Sequence, residues 1–269
     1  MKAVFLNLDN AVERRAAIES SLAGVPGLRA ARFAAVPAAD AAHRPGKLTP
    51  PEKGCFLSHL RAIEQHADDP EPLLVLEDDA VVSPRFPDMA AQALAPEAPD
   101  WDILFTDVGI GATGPMLTLA KARHELAAAA TFRLIDLAGL PFFAATAYVV
   151  RPQAKAKLLA ALREHAELDT PYDLYLRRLV NSGRLKASVC FPFATSVGDL
   201  GVSQIQPDRH AFADRTFNTF RRLMYVDADL AETRRLAQPL IDRAALDPAA
   251  ELTGLVFWAL TSADFPSAR

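Results

Sequence analysis

Leu73-Leu74-Val75-Leu76-Glu77-Asp78-Asp79 sets a run of aliphatic side chains directly against a run of carboxylic acids. An apolar stretch this short, with no polar residue alternating through it, reads as a strand covered on both faces, as in a parallel sheet with helices on either side. The acids then fall at the strand's carboxyl end, where open α/β sheets collect their ligands. Adjacent carboxylates repel unless a cation or hydrogen-bond donors offset the charge. A divalent ion of the Mg²⁺ or Mn²⁺ type, which takes one or two carboxylates together with substrate phosphates, would do so. Acidic residues that simply end a strand and open a turn are the plainer alternative, and the triplet alone does not separate the two.

Working outward, Ala3–Leu6 is a second buried-strand run. Asn10 and Glu13 stand in capping spacing ahead of a helix reaching about Gly24, and Leu28–Val36 follows as a strand. Pro37–Leu48 reads as a loop. Thr49-Pro50-Pro51-Glu52 opens a helix to about His66, with Thr49 as N-cap and Glu52 closing a capping box. On that helix Phe56, Leu57, Leu60 and Ile63 share one face. Gly54 and Ser58 lie on the other, flanked by Glu52, Cys55 and His59. Beyond the acidic triplet, Trp101–Thr106, Phe132–Leu137, Ala144–Val150 and Leu185–Phe191 are strand candidates. Pro152 and Thr170-Pro171 start helices, the second running to Val180 with Gly183 just past its end. From Ala211 the chain turns Arg- and Ala-rich with helical patterning. This predicts an α/β domain over 1–210 built on one Rossmann-like sheet, and a helical extension over 211–269 packed on it.

The 269 residues are 51% hydrophobic with a formal charge of −4, enough for a sizeable core and without the basic excess that would recruit nucleic acid. Cys55 and Cys190 stand far apart, outside metal-ligand spacing, which suits a reducing compartment. The first apolar run is cut by Asn7 and Asp9 before it reaches the length of a signal-peptide centre, and no stretch is long enough to span a bilayer. A cytoplasmic protein is the expectation.

Several residues carry two readings. Gly54 costs a helix roughly 1 kcal/mol relative to Ala, so something approaches the backbone closely there, and a nucleotide is one candidate. His59 is either a ligand group or a half-buried histidine satisfied by a carbonyl. Glu52 already has a purely structural task. Asp173 stands in capping-box spacing from Thr170, which would explain a carboxylate without any chemistry. Arg14 reads by itself as an exposed helix residue, and Thr146 and Tyr148 as strand core.

NLDNAVERR (7–15), EKGCFLSHLRAI (52–63), LLVLEDDAVV (73–82) and AYVVRPQAKAKLL (147–159) followed by TPYDLYL (170–176) occur in that order. Together they resemble glycosyltransferase family 25, which includes bacterial lipooligosaccharide galactosyltransferases and the related collagen galactosyltransferases. The resemblance spans roughly residues 3 to 205, and GCFLSH followed by LEDDA is its most specific part. It implies a GT-A type fold and an inverting transfer of a hexose, galactose favoured, from a UDP-sugar to a saccharide or lipid-linked saccharide acceptor in surface-glycan synthesis. It further implies a Mn²⁺ or Mg²⁺ ion on Glu77 and Asp79, with Asp78 facing the ribose or sugar, and Asp173 as the base for the acceptor hydroxyl. Asn7, Leu8 and Arg14 would border the nucleotide, with Glu52, Gly54, Ser58 and His59 beside it. Thr146 and Tyr148 would line the sugar pocket, and Ser203 would follow a glycine-bearing loop that closes over the diphosphate. His210 is left outside the metal set. For a lipid-linked acceptor, Arg221, Arg222 and the apolar stretch near Trp258 would be the contacts with the inner membrane face, against ordinary packing of a helical cap. A non-catalytic nucleotide-sugar or glycan binder of the same fold, and a metal-dependent phosphohydrolase or nucleotidyltransferase, are the competing functions.

Overall fold

The computed structural model describes residues 1–129, 131–198 and 211–242. In chain order the elements are β1 (Lys2–Asn7), α1 (Val12–Ala23), β2 (Ala31–Ala34), α2 (Ala38–Ala41), α3 (Pro50–Gln65), β3 (Leu73–Glu77), β4 (Ala80–Val82), α4 (Phe86–Ala93), β5 (Ile103–Phe105) and β6 (Gly109–Ile110). Next come α5 (Thr113–Ala128), β7 (Arg133–Asp136), β8 (Phe142–Phe143), β9 (Ala147–Val150), α6 (Pro152–Glu164), α7 (Tyr172–Asn181), β10 (Ala187–Phe191) and β11 (Thr195–Val197). Helices α8 (Ala211–Met224) and α9 (Leu230–Asp242) follow.

Seven strands form one sheet in the order β2-β1-β3-β9-β5-β10-β7. Strands β1, β2, β3, β5 and β10 point the same way, while β9 and β7 run against them. The aliphatic runs alternate between two cores, as side chains on a strand must. Leu73 and Val75 of β3 enter one core, with Phe56 and Ile63 of α3, Leu158 of α6 and Leu176 of α7. Leu74 and Leu76 enter the other, with Ile18 and Leu22 of α1 and Phe86 and Met89 of α4. The lack of alternation in LLVL is thus the mark of a layer buried from both sides.

The chain leaves β1 over the α1 face to reach β2, then returns over the α3 face to β3 on the other side of β1. The strand order therefore reverses between β1 and β3, and the crevice at a reversal of this kind lies at the strands' carboxyl ends. Asn7 and Glu77 end the two strands there.

Two local expectations fail for identifiable reasons. The N-cap of α1 is Ala11, without a side-chain cap, because the Asn10–Glu13 pair is not used. The N-cap of α7 is Pro171, also without one, because Asp173 is engaged elsewhere. Thr49 does meet its expectation, the Glu52 carboxylate accepting from its N–H at 2.8 Å and its hydroxyl at 2.7 Å. The predicted Leu28–Val36 strand is shorter, and a single helical turn, α2, interrupts the Pro37–Leu48 segment.

Helix α8 brings Phe220, Leu223 and Met224 into the α3-side core. No helix among the described residues is long and apolar enough to cross a membrane.

Candidate functional site

The pleat divides the acidic triplet. Glu77 continues the Leu73–Val75 side of β3 and meets α3, whereas Asp78 points to the α1 side and Asp79 lies in the turn that follows.

On the α1 side the charges are answered within the protein. Asp78 is buried and accepts from Arg14 Nε at 2.7 Å and from Asn7 Nδ2 at 2.8 Å. Arg14 Nη2 also pairs with Asp79 Oδ2 at 3.1 Å. Burial works against the Arg14 charge, but Asp79 and Asp78 outweigh it and hold the guanidinium above its ordinary value. Asn7 is fully engaged, giving its second bond to the Ala11 carbonyl and accepting from Arg32. Asp78, Asn7 and Arg14 therefore fasten β1, α1 and β3 together. Asp78, expected at the ribose or sugar, and Asn7 and Arg14, expected to border the nucleotide, thus bond to one another, and Arg14 supplies part of the positive charge that the triplet requires. Leu8, half-buried, is the next residue on the rim.

One oxygen is left over. Asp79 Oδ1 is buried and has no hydrogen-bond partner among the described residues. An orphaned buried carboxylate oxygen is costly unless a cation or donor meets it. Asp79 with the half-buried Glu77 offers the hard oxygen set that Mn²⁺ or Mg²⁺ takes, so these residues fit such an ion.

On the α3 side Glu77 Oε1 lies 3.2 Å from His59 Nε2 and 3.9 Å from Cys55 Sγ. His59 Nδ1 lies 3.0 Å from the Tyr148 hydroxyl, which is 2.7 Å from that of Tyr172. The Tyr172 ring stacks on the imidazole at 4.1 Å. In the tautomer with its proton on Nε2, His59 donates to Glu77 Oε1 and accepts at Nδ1, and the donors then run from Tyr172 through Tyr148 and His59 to Glu77. Burial, and Tyr172 beside it, push the Tyr148 phenol well above its usual range, so it stays a donor. His59, expected beside the nucleotide, and Tyr148, expected in the sugar pocket, are fully buried and stand behind Glu77. Such partners behind a ligating group commonly set its orientation.

Gly54 and Ser58 are explained by the chain itself. A Cβ on Gly54 would sit 2.6 Å from the Val36 carbonyl oxygen. Ser58 Oγ accepts from the Val36 N–H at 2.8 Å and donates to the Gly54 carbonyl at 2.7 Å. The close approach inferred from Gly54 is real, but it is made by the segment after β2 and not by a nucleotide. Gly54→Ala should therefore destabilise the protein, the overpacking cost of about 1–3 kcal/mol exceeding the roughly 1 kcal/mol gained in helix propensity. A urea midpoint at or above that of the parent would contradict this packing.

Asp173 is half-buried at the start of α7, and its Oδ2 accepts from the Ala144 N–H at 2.8 Å. Ala144 has a φ of 70°, a left-handed conformation costly for a residue with a Cβ. The carboxylate thus secures a strained turn leading into β9 and does not cap its own helix. Burial raises the Cys55 thiol well above its usual range, and the charges of Glu77, Asp173, Asp79 and Glu52 add to the effect. Of these carboxylates, Glu77 is the one in contact with the thiol, its Oε1 lying 3.9 Å from Sγ.

Asp107 and Thr195 were not singled out in the sequence, and Arg221 was considered only for a membrane face. Asp107 follows β5 as Glu77 ends β3, and it is fully buried. It accepts from Arg221 Nε at 2.7 Å and from the Thr195 hydroxyl at 3.0 Å. Arg221 also donates to the Thr146 hydroxyl, and the Thr146 carbonyl accepts from the Glu77 N–H at 2.7 Å. Thr146, expected to line the sugar pocket, is thus a buried link between α8 and Glu77. A carboxylate directly after the expected Trp101–Thr106 strand was a readable signal; its arginine, more than 100 residues later, was not. Arg222 donates to the carbonyls of Val197 and Gly198, so both arginines considered for a membrane face are turned inward. Ser203, His210 and Trp258 lie outside the described residues.

No curated protein matches the chain. The solved structure of a galactosyltransferase, LgtC, in complex with donor and acceptor sugar analogs aligns over 82% of this chain and 95% of that one, with 14% identity and a TM-score of 0.41. The model of glycosyltransferase family 25 (LPS biosynthesis protein) matches residues 1–176, which hold β1, α3, β3, β9 and Asp173. The chain thus belongs to glycosyltransferase family 25 and is a glycosyltransferase.

Proposed function

We propose that the protein transfers a hexose, galactose favoured, from a UDP-sugar to a saccharide of a surface glycan such as lipopolysaccharide, with inversion and with a Mn²⁺ or Mg²⁺ ion. The observation that carries this reading is the buried Asp79 Oδ1 at the β1–β3 reversal, which has no hydrogen-bond partner among the described residues and stands two positions after the half-buried Glu77.

Glu77 and Asp79 would hold the ion, which when bound supplies positive charge to the leaving diphosphate. Arg14 keeps Asp79 in place through Oδ2, and the Tyr172–Tyr148–His59 chain keeps Glu77 turned toward the crevice. Leu8 and Glu52 are proposed to border the nucleotide directly. Asp173 accepts the proton of the acceptor hydroxyl. The freed oxygen pair attacks the anomeric carbon, and the bond to the diphosphate breaks with its electrons leaving on the phosphate oxygen. Charge develops at both ends of this displacement, so groups placed to meet it there accelerate the step.

The direct test is thermal stabilisation by a panel of nucleotide sugars with and without Mn²⁺. Binding to the native state alone should stabilise by about 2.7 kcal/mol at a hundredfold excess over Kd. UDP-galactose should raise the melting temperature in Mn²⁺, chelation should remove the shift, and Asp79→Asn should abolish it. Indifference to every nucleotide sugar, or an equal shift with chelator present, would refute the metal-dependent donor site. Product analysis with saccharide acceptors then separates sugar transfer, which releases UDP, from cleavage inside the diphosphate.

A further inference from the structure

Cys55 and His59 are one helical turn apart on α3, so both side chains stand on the face that meets the end of β3. The Cys55 Sγ, the His59 Nε2 and a Glu77 carboxylate oxygen all lie within 4.8 Å of one another. A tetrahedral ion with bonds of about 2.0–2.3 Å needs ligand atoms about 3.3–3.8 Å apart. The observed separations of 3.2 Å from nitrogen to oxygen and 3.9 Å from sulfur to oxygen bracket that span. Sulfur, nitrogen and one carboxylate are the donor set of a borderline-soft ion, unlike the all-oxygen set of Mg²⁺ or Mn²⁺.

We propose that Cys55, His59 and Glu77 form a second cation site, selective for zinc over magnesium, beside the Glu77–Asp79 pair. The hydrogen-bond chain behind it is suited to this. Turned the other way, His59 Nδ1–H donates to Tyr148 and the Tyr148 hydroxyl to Tyr172, which frees Nε2 to coordinate and fixes the ring as partners behind ligating histidines do. Cys55 and Glu77 are half-buried, giving the ion a way in from the crevice. Three protein ligands leave a fourth position for water or an incoming oxygen. The consequence for activity rests on the reading above that Glu77 holds the catalytic ion: zinc draws on the same carboxylate and inhibits transfer.

The test uses the full chain with Co²⁺ as a spectroscopic stand-in for zinc, in excess Mg²⁺. A near-ultraviolet thiolate-to-cobalt charge-transfer band should appear, be displaced by Zn²⁺, vanish in Cys55→Ser and persist in Cys190→Ser. Tyr148→Phe should weaken zinc binding about 10- to 100-fold, the usual effect of losing a partner behind a ligand. No band, or a band surviving in Cys55→Ser, overturns the site. In Mn²⁺-supported transfer, zinc should inhibit the parent reversibly and inhibit Cys55→Ser far less relative to that variant's own rate. A Cys55-dependent band without inhibition upholds the zinc site and counts against Glu77 as a ligand of the catalytic ion, so the two readings fail separately.

Discussion

Asp173→Asn should depress sugar transfer by about 10²- to 10⁴-fold, the usual contribution of a general base, while Mn²⁺-dependent stabilisation by the donor stays close to that of the parent. The substitution is informative because asparagine keeps an oxygen that can accept from the Ala144 N–H, as Asp173 Oδ2 does at 2.8 Å. The turn at Ala144, with its φ of 70°, is therefore still held, and what disappears is the charge and the capacity to take a proton. Asp173→Ala removes both, so it should lose transfer to a similar degree and stability as well, since a left-handed non-glycine residue costs about 1–3 kcal/mol that its surroundings must offset. Comparable kcat in Asp173→Asn and the parent would remove Asp173 from the chemistry and leave it only the turn. A fall in donor affinity that accounts for the whole loss of rate would move it to the nucleotide site instead.

Arg221→Met should lower the stability of the protein by about 3–5 kcal/mol, because it removes the cationic partner of the fully buried Asp107 carboxylate, to which the Thr195 hydroxyl also donates. Methionine fills much of the arginine's volume, so the loss reports the unpaired charge more than a cavity. Adding Asp107→Asn should restore part of it, and a double-mutant cycle read by urea unfolding measures the coupling. Additive effects of the two substitutions would mean that the pair contributes no coupling. The same change should reach the crevice. Arg221 holds the Thr146 hydroxyl, and the Thr146 carbonyl holds the Glu77 N–H, so loosening α8 relaxes the backbone that presents Glu77.

The crevice was partly legible beforehand. Glu77 could be placed at a ligand-facing strand end because LLVL can only be a doubly covered strand, and a carboxylate that follows it has to emerge at the sheet's edge. Asp78 could not be told from its neighbours. Its burial against Arg14 and Asn7 depends on which face of the pleat each acid takes and on where α1 lands, and residues 64 and 71 positions apart carry no local trace of each other. Gly54 was correctly read as a point of close approach, but the approaching atom belongs to Val36, a choice made by how the segment after β2 crosses α3. For Asp173 the local capping pattern was a competing explanation, and the long-range bond to Ala144 displaced it. Cys55 stood on the right helix beside His59, yet a thiol in a helix gains significance only when β3 brings a carboxylate within 3.9 Å of it.

By itself the sequence determined the layers: short unalternating apolar runs, a Thr-Pro-Pro-Glu helix start and an acidic strand end are local patterns whose consequences extend over a few residues, and the fold follows from their order. The tertiary structure decided which polar groups face the crevice and which face one another. That choice depends on contacts between segments far apart in the chain, such as α8 with the residues after β5 and α3 with the end of β3, where burial leaves each polar side chain bound to whatever partner the packing supplies.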